Sequence, residues 1–105
     1  MNPMSEWISV KDRLPESGKE VQICYEYEGY TKKHKDVCIG FFAHEFAEEC
    51  GHQEDLETLY DEETDAFYLA KGWYESIKHW GEYRFVWIYD DVTHWMPLPE
   101  QPKEA

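Results

Sequence analysis

Apolar and polar residues alternate along several stretches of the chain, and this alternation predicts β-strands. The segment VQICYEYE at 21–28 has a period of two with β-branched and aromatic residues, which is typical of a half-buried strand. The segment DVCIGFFA at 36–43 repeats that period, with Val37, Ile39 and Phe41 on one face. The polar, basic stretch GYTKKHK lies between the two segments and suits a loop. The pattern therefore predicts an antiparallel hairpin.

Strand patterns return after residue 65. The segment AFYLAKGWYESI at 66–77 is apolar and aromatic at alternating positions, and its Gly72 indicates a bulge or turn. HWGEY predicts a tight turn around Gly81. The following YRFVWIYDD is nearly continuously apolar, which predicts a central strand covered on both faces. A last short strand is predicted in VTHWMPLP at 92–99, where the prolines end it because proline cannot donate to a strand ladder.

Residues 44–65 have a different pattern, in which apolar positions recur mostly every three or four residues. The apolar positions are Phe46, Ala47, Cys50, Leu56, Leu59 and Tyr60, with glutamates between them. This spacing predicts an amphipathic helix, interrupted near Gly51 because glycine disfavours helix interiors. The predicted fold is therefore α+β: one domain over 1–105, with a small antiparallel sheet of four to five strands. An acidic helical insertion lies at 44–65, and a mobile tail is expected at 100–105.

Composition excludes several classes of protein. Of the 105 residues, 42% are hydrophobic, and they include 5 Trp, 8 Tyr and 5 Phe. Such a content argues against a disordered chain. No apolar run is long enough for a membrane helix, and the first residues do not form a signal peptide. The net charge of −13 argues against direct binding to nucleic acid or to an anionic membrane. Three cysteines, an odd count, favour a reducing cytoplasm.

Two motifs at the ends of the chain resemble a known family. The first is WISVKDRLP at 7–15, followed by GKEV at 18–21, and the second is VTHWMPLP at 92–99. Together they resemble a family of bacteriophage and prophage proteins catalogued as domain of unknown function 551. The resemblance implies a phage or prophage origin and a compact β-rich domain, but no activity and no catalytic residues. We interpret the motifs as fold signatures that place the two ends side by side, with Trp7 and Trp95 closing a small core.

Metal binding and catalysis have weaker support in the sequence. Cys38, His44, Cys50 and His52 lie close together along the chain, but their spacing matches no standard zinc site. A metal at these four residues stays an open alternative, and no cofactor is predicted. The chain carries none of the motifs GxSxG, GxGxxG, HExxH or a P-loop. We therefore predict a protein that is not an enzyme.

Acidic residues are concentrated in one third of the chain. Residues 36–70 contain 11 Asp or Glu and no Lys or Arg. One interpretation is a solvated face that keeps the protein soluble. The other is a surface that mimics nucleic-acid phosphates and binds a basic groove on a host protein, such as a defence or nucleic-acid-processing protein, in a salt-sensitive manner. The predicted binding residues are Glu45, Glu48, Glu49, Glu54, Asp55, Glu57, Asp61 and Glu62.

The aromatic cluster of the C-terminal half gives an alternative function. Trp73 and Trp80 could stack on the ring of a small ligand, and Lys78 and Arg84 could hold phosphates. On this hypothesis the protein binds or sequesters a nucleotide. The oligomeric state, monomer or homodimer, stays open.

Overall fold

The computed structural model describes residues 6–51 and 56–99, and these residues form nine strands and no helix. The strands are β1 (Ile8–Ser9), β2 (Val21–Glu28), β3 (Lys33–Ala43), β4 (Glu49–Cys50), β5 (Thr58–Asp61), β6 (Ala66–Leu69), β7 (Gly72–His79), β8 (Glu82–Trp87) and β9 (Asp91–Pro97). Six form a main sheet in the order β1-β9-β2-β3-β7-β8, and three form a small sheet in the order β4-β6-β5. Neighbouring strands are antiparallel in both sheets. No helix that could cross a membrane occurs in this part of the chain.

The predicted α+β class is wrong, and so is the helical insertion at 44–65. The described residues of that segment form β4, β5 and turns. A continuous helix is broken at Phe46, whose φ of 55° lies in the left-handed region. The turn between β5 and β6 is closed by Asp61, whose carboxylate accepts hydrogen bonds from the Glu63 amide at 3.0 Å and the Thr64 hydroxyl at 3.2 Å. The apolar spacing of three and four residues thus came from short strands joined by turns.

The predicted hairpin of β2 and β3 is confirmed and forms the centre of the main sheet. Its register runs from Val21 opposite Gly40 to Glu28 opposite Lys33. The loop is shorter than predicted and covers only residues 29–32. Lys33 and Lys35 belong to β3, where they lie opposite Glu28 and Glu26. Facing positions of opposite charge suit this longer pairing, although these four side chains form no ion pair within 4.0 Å.

The segment predicted to be the central strand is instead an edge strand. Among the strands of the described residues, β8 pairs with β7 alone and ends the main sheet. The apolar character of this segment has a different cause. Around the end of β8 and at the residue after it, other side chains cover both faces of the chain. Phe85 and Trp87 pack against the buried cluster under the small sheet, whereas Ile88 packs against the cluster on the opposite face. Burial on two faces therefore does not require a central position in a sheet.

The main sheet carries one hydrophobic cluster on each face. The first cluster includes Phe41 and Tyr74 of the main sheet and Leu69 of the small sheet, so we call this side the small-sheet face. The second cluster contains Val21, Ile23 and Trp95, and we call this side the Trp95 face. The register separates the two, because Ile23 faces Cys38 across the hairpin and side chains alternate along β3 from Cys38 to Phe41.

The two end motifs lie side by side, as predicted. β1 pairs with β9, with Ile8 opposite Trp95. Trp95 is buried, and its indole Nε1 donates a hydrogen bond to the Arg13 carbonyl at 3.0 Å. The Arg13 guanidinium lies 6.0 Å from the centre of the Trp95 ring. Trp7, in contrast, is 38% exposed, so only Trp95 acts as the core residue that we expected of both.

The burial of Tyr74 makes the stability of the fold depend on pH in the alkaline range. Its side chain is fully buried, and its hydroxyl donates to the Ala70 carbonyl at 2.7 Å. Burial, with smaller contributions from Cys50 and Glu57, raises the pKa of Tyr74 from 10.0 to about 12. Because the folded pKa lies above the unfolded one, the associated stability is complete below pH 10 and is lost as the pH rises towards 12. This difference in pKa corresponds to about 3 kcal/mol.

We therefore expect Tyr74→Phe to change both the level and the pH dependence of stability. At pH 8 the variant should lose about 1 kcal/mol with the hydrogen bond to Ala70. Between pH 10 and 12 its free energy of unfolding should fall less steeply than that of the wild type. Urea unfolding followed by tryptophan fluorescence at pH 8, 10 and 11 measures both effects. If the free energy of unfolding fell equally with pH in the two proteins, the raised pKa assigned to Tyr74 would be contradicted.

Candidate functional site

The small sheet presents an acidic outer surface. Its register places Cys50, Tyr60 and Phe67 on one face, and Cys50 packs against the cluster of the small-sheet face. The alternate positions, which include Glu49 and Asp61, lie on the other face. Cys50 and Leu69 on the inner face belong to or pack against that cluster, whereas Tyr60 on the edge strand β5 stays about half exposed. The other face carries Glu49 and Asp61 together with Leu59 and Tyr68, and we call this small sheet the acidic sheet from here on.

The predicted acidic residues differ in their exposure. Among those that the structure describes, Glu48 and Asp61 are half-buried, and the carboxylate of Asp61 is used by its own turn. Glu54 and Asp55 lie outside the described residues. The exposed members of the predicted set are Glu45, Glu49, Glu57 and Glu62. These four carry the surface that a partner could contact.

Aromatic side chains accompany these carboxylates. Phe46 and Tyr60 are each about half exposed, and the Phe46 ring stands edge-on to Tyr68 with ring centres 5.7 Å apart. A hydrogen bond from the Tyr60 hydroxyl to Asp65 is the main reason that the pKa of Tyr60 is raised. Large aromatic side chains are frequent energetic centres of protein interfaces. The acidic sheet therefore combines negative charge with apolar contact area.

A cleft of about 380 Å³ lies between the two end motifs, and sequence reasoning missed it. Its lining residues are Ser9, Val10, Lys11, Glu26, Asp91, Val92, Thr93 and His94. We call it the motif cleft. The pairing of β2 with β9 shifts register between Cys24 and Tyr25, which forms a bulge at this place. Such bulges change the direction in which side chains point and often border functional sites.

The sequence did contain one signal for this cleft. Six of its lining residues belong to the motifs at 7–15 and 92–99, which we had interpreted as fold signatures. The bulge itself could not be read from the alternation of apolar residues, because it depends on the partner strand. The fold-signature interpretation and a binding role are compatible, since the same residues join β1 to β9 and line the cleft.

A family model described as "Protein of unknown function (DUF551)" matches residues 6–103. The chain belongs to this family. The resemblance carried by the two end motifs is thereby confirmed at the level of the family, and the match includes the acidic sheet as well as the motif cleft. The family description supplies no activity. No curated protein and no solved structure matches this chain.

The residues proposed for nucleotide binding in this DUF551 protein are not brought together. Trp73 packs on Phe42 with ring centres 5.0 Å apart and contacts the cluster of the Trp95 face. Trp80 lies at the far end of the β7–β8 hairpin and is 87% exposed. The two are seven residue steps apart along an extended strand, which is about 23 Å. They therefore cannot stack on the same ring.

The two cations of that hypothesis have different surroundings. Lys78 forms an ion pair with Glu20 at 3.4 Å, and its ammonium lies 5.9 Å from the centre of the Tyr83 ring. Arg84 is exposed and lines a shallow cleft near the hairpin tip together with Ile77, Lys78, His79 and Glu82. Of the four proposed residues, three are near this tip and Trp73 is not.

Trp80 occupies a turn position that suits other residues better. His79 pairs with Glu82, so the loop has two residues, Trp80 and Gly81, with φ values of 53° and 83°. Two positive φ values are typical of a type I′ turn, which favours Asn-Gly. We expect Trp80→Asn to raise the free energy of unfolding by about 0.5–1 kcal/mol, because Asn tolerates the left-handed region. Thermal unfolding measures this change, and a lower melting temperature would contradict it.

The four residues left open as metal ligands in this DUF551 protein are not brought together among the described residues. Cys38 contacts the cluster of the Trp95 face, whereas Cys50 contacts the cluster of the small-sheet face. The ring Nε2 of His44 is 3.0 Å from the Pro15 carbonyl, and His52 lies outside the described residues. No group of three or more metal-ligating side chains occurs in residues 6–51 and 56–99.

The two thiols are moreover held in their protonated form. Burial, followed by the charges of Glu75 and Asp36, raises the pKa of Cys38 to about 12. The pKa of Cys50 is also raised, mainly by burial and secondly by Glu49. Because the thiolate is the metal ligand and the nucleophile, neither cysteine is prepared for such chemistry at neutral pH.

Proposed function

We propose that this protein is a non-enzymatic binding protein whose acidic sheet contacts a basic surface of another protein. The observation that carries the proposal is the segregation of charge: residues 36–70 have 11 acidic and no basic residues. Apart from Asp36 in β3, the described acidic residues of that segment lie in the small sheet or in the turns next to it, where exposed carboxylates are adjacent to Phe46 and Tyr60. Negative charge around apolar contacts suits a partner rich in Lys and Arg.

The ion pairing of the described residues supports a partner that is basic. Among residues 6–51 and 56–99, the one ion pair joins Lys78 to Glu20, and neither belongs to the acidic sheet. The exposed carboxylates of that sheet therefore have no Lys or Arg partner within the described chain. Bringing them next to basic side chains of a partner would be favourable, and the interaction would weaken with salt.

We further propose a biological setting for this binding. The end motifs resemble phage and prophage proteins, so we infer a phage accessory protein that acts in the cytoplasm of its host. A basic groove that normally receives nucleic-acid phosphates would accept carboxylates in their place. A host defence or nucleic-acid-processing protein is therefore the kind of partner that fits the acidic sheet.

Capture from a bacterial lysate with two charge-matched variants tests the proposal. The first variant, E45Q/E49Q/E57Q/E62Q, neutralises the four exposed carboxylates of the predicted binding set. The control, E6Q/D12N/E16Q/E28Q, neutralises four exposed carboxylates elsewhere, so each variant removes four charges from the net −13. Asp61 is left unchanged because its carboxylate closes a turn.

The proposal predicts that the wild type and the control retain the same protein at low salt and that the first variant loses it. Quantitative mass spectrometry of the retained proteins gives this comparison. An equal loss in both variants would show that net charge, and not the acidic sheet, governs binding, and full retention by both would show that these carboxylates do not contact the partner.

A further inference from the structure

The motif cleft presents hydrogen-bond acceptors that have no partners among the described residues. We propose that it binds a small organic cation, with a protonated amine or guanidinium group contacting Glu26, Asp91 and the Nε2 of His94. The cleft has a volume of about 380 Å³, which lies in the range of small-molecule sites. The proposal concerns a different surface from the acidic sheet and does not depend on the function proposed above.

The two carboxylates of the cleft form an unfavourable pair on their own. Glu26 of β2 and Asp91 of β9 are directly opposite in the register, on the same face of the main sheet. Like charges at facing positions destabilise a sheet. Neither carboxylate has an ion-pair partner within 4.0 Å in the described chain, and this includes Lys35, which faces Glu26 from β3. A bound cation between the two carboxylates would remove this repulsion.

The histidine of the cleft is held by a chain of hydrogen bonds. The Thr93 hydroxyl donates to the Cys24 carbonyl at 3.4 Å. The Nδ1 of His94 lies 3.0 Å from the Thr93 oxygen, and because the hydroxyl has a single hydrogen, both contacts are hydrogen bonds at once only in the tautomer whose Nδ1–H donates. In that tautomer the Nε2 atom carries a lone pair. The network therefore assigns a tautomer in which Nε2 can accept a hydrogen bond.

An organic cation fits these groups better than a metal ion does. His94, Glu26 and Asp91 do not approach one another closely enough to form a metal-ligating group in the described residues. A larger cation with several N–H donors can reach separated acceptors. Lys11 also lines the cleft, but it is an exposed residue, so its ammonium can remain in water.

Nuclear magnetic resonance with agmatine as the probe tests the proposal. Agmatine carries one guanidinium and one amine. 1,4-Butanediol serves as the neutral comparison and inorganic phosphate as the anionic one. We expect saturable shifts of the His94 ring nitrogens and of the Ser9 and Thr93 amides with agmatine, and no saturable shifts with the other two. No saturation with agmatine, or equal binding of phosphate, would overturn the proposal.

A pair of charge-matched variants makes the test specific to the cleft. E26Q/D91N removes both carboxylates, and it should fold because it also removes their repulsion. It should bind agmatine at least about ten-fold more weakly, since charge-assisted hydrogen bonds are lost. The control E62Q/E63Q makes the same charge change in the β5–β6 turn and should bind like the wild type. An equal loss in both variants would show non-specific attraction to an acidic protein and would overturn the proposal.

Discussion

Replacing Gly40 by valine is expected to abolish folding or to lower the free energy of unfolding by more than about 4 kcal/mol. Gly40 lies where β3 pairs with both neighbours, opposite Val21 on one side and Glu75 on the other. A Cβ at this position would overlap the carbonyl oxygen of Tyr74 and lie 2.9 Å from the Cδ1 atom of Ile23. The main obstacle is backbone, which cannot move without breaking the β3–β7 pairing.

Chemical unfolding, or the amount of soluble protein if none refolds, measures the effect of Gly40→Val. Gly51→Ala is the control, because a Cβ at Gly51 would meet no atom of residues 6–51 and 56–99 within 4 Å. Surface substitutions of this kind change stability by about 0.5 kcal/mol or less. A Gly40→Val protein as stable as this control would contradict the close approach of β3 to β7.

Trp95→Ala is expected to lower the free energy of unfolding by about 3–5 kcal/mol. Trp95 is 7% exposed and belongs to the cluster with Val21 and Ile23. Its truncation leaves a cavity on the Trp95 face and removes the donor to the Arg13 carbonyl. The contact between the two end motifs would weaken at the same time, because Ile8 pairs with Trp95.

Urea unfolding measures the free energy of unfolding of Trp95→Ala and of Trp80→Ala, so that a buried and an exposed tryptophan can be compared. Trp80 is 87% exposed, so its truncation should change stability by no more than about 0.5 kcal/mol. The two substitutions remove the same side chain, and the difference between them isolates burial. Similar values for both variants would mean that Trp95 is not a core residue.

The parts of the fold that depend on local alternation could be predicted from the sequence. The β2–β3 hairpin, the turn at Gly81 and the adjacency of the end motifs followed from strand periodicity or from paired motifs. The helix at 44–65 did not, because short strands joined by turns can produce apolar spacings of three and four residues. The left-handed conformation of Phe46 and the turn closed by Asp61 had no clear sequence signal.

The candidate sites were predictable to a smaller extent. The acidic segment was evident from composition, but which of its carboxylates are exposed depends on the register of the acidic sheet. A shared ligand site of Trp73 and Trp80 was suggested by their closeness in sequence, but the extended strand between them places the two rings far apart. The motif cleft lies at a register shift between β2 and β9, a tertiary feature that residue types alone do not specify.

The most direct test of the account is the salt dependence of binding to the protein retained in the capture experiment. We predict that the wild-type affinity falls by roughly ten-fold or more between 50 and 300 mM NaCl, because screening weakens charge pairing across an interface. The E6Q/D12N/E16Q/E28Q control should keep this slope, whereas E45Q/E49Q/E57Q/E62Q should bind weakly with little dependence on salt. Identical slopes for the two variants would contradict the central claim that the acidic sheet is the binding surface.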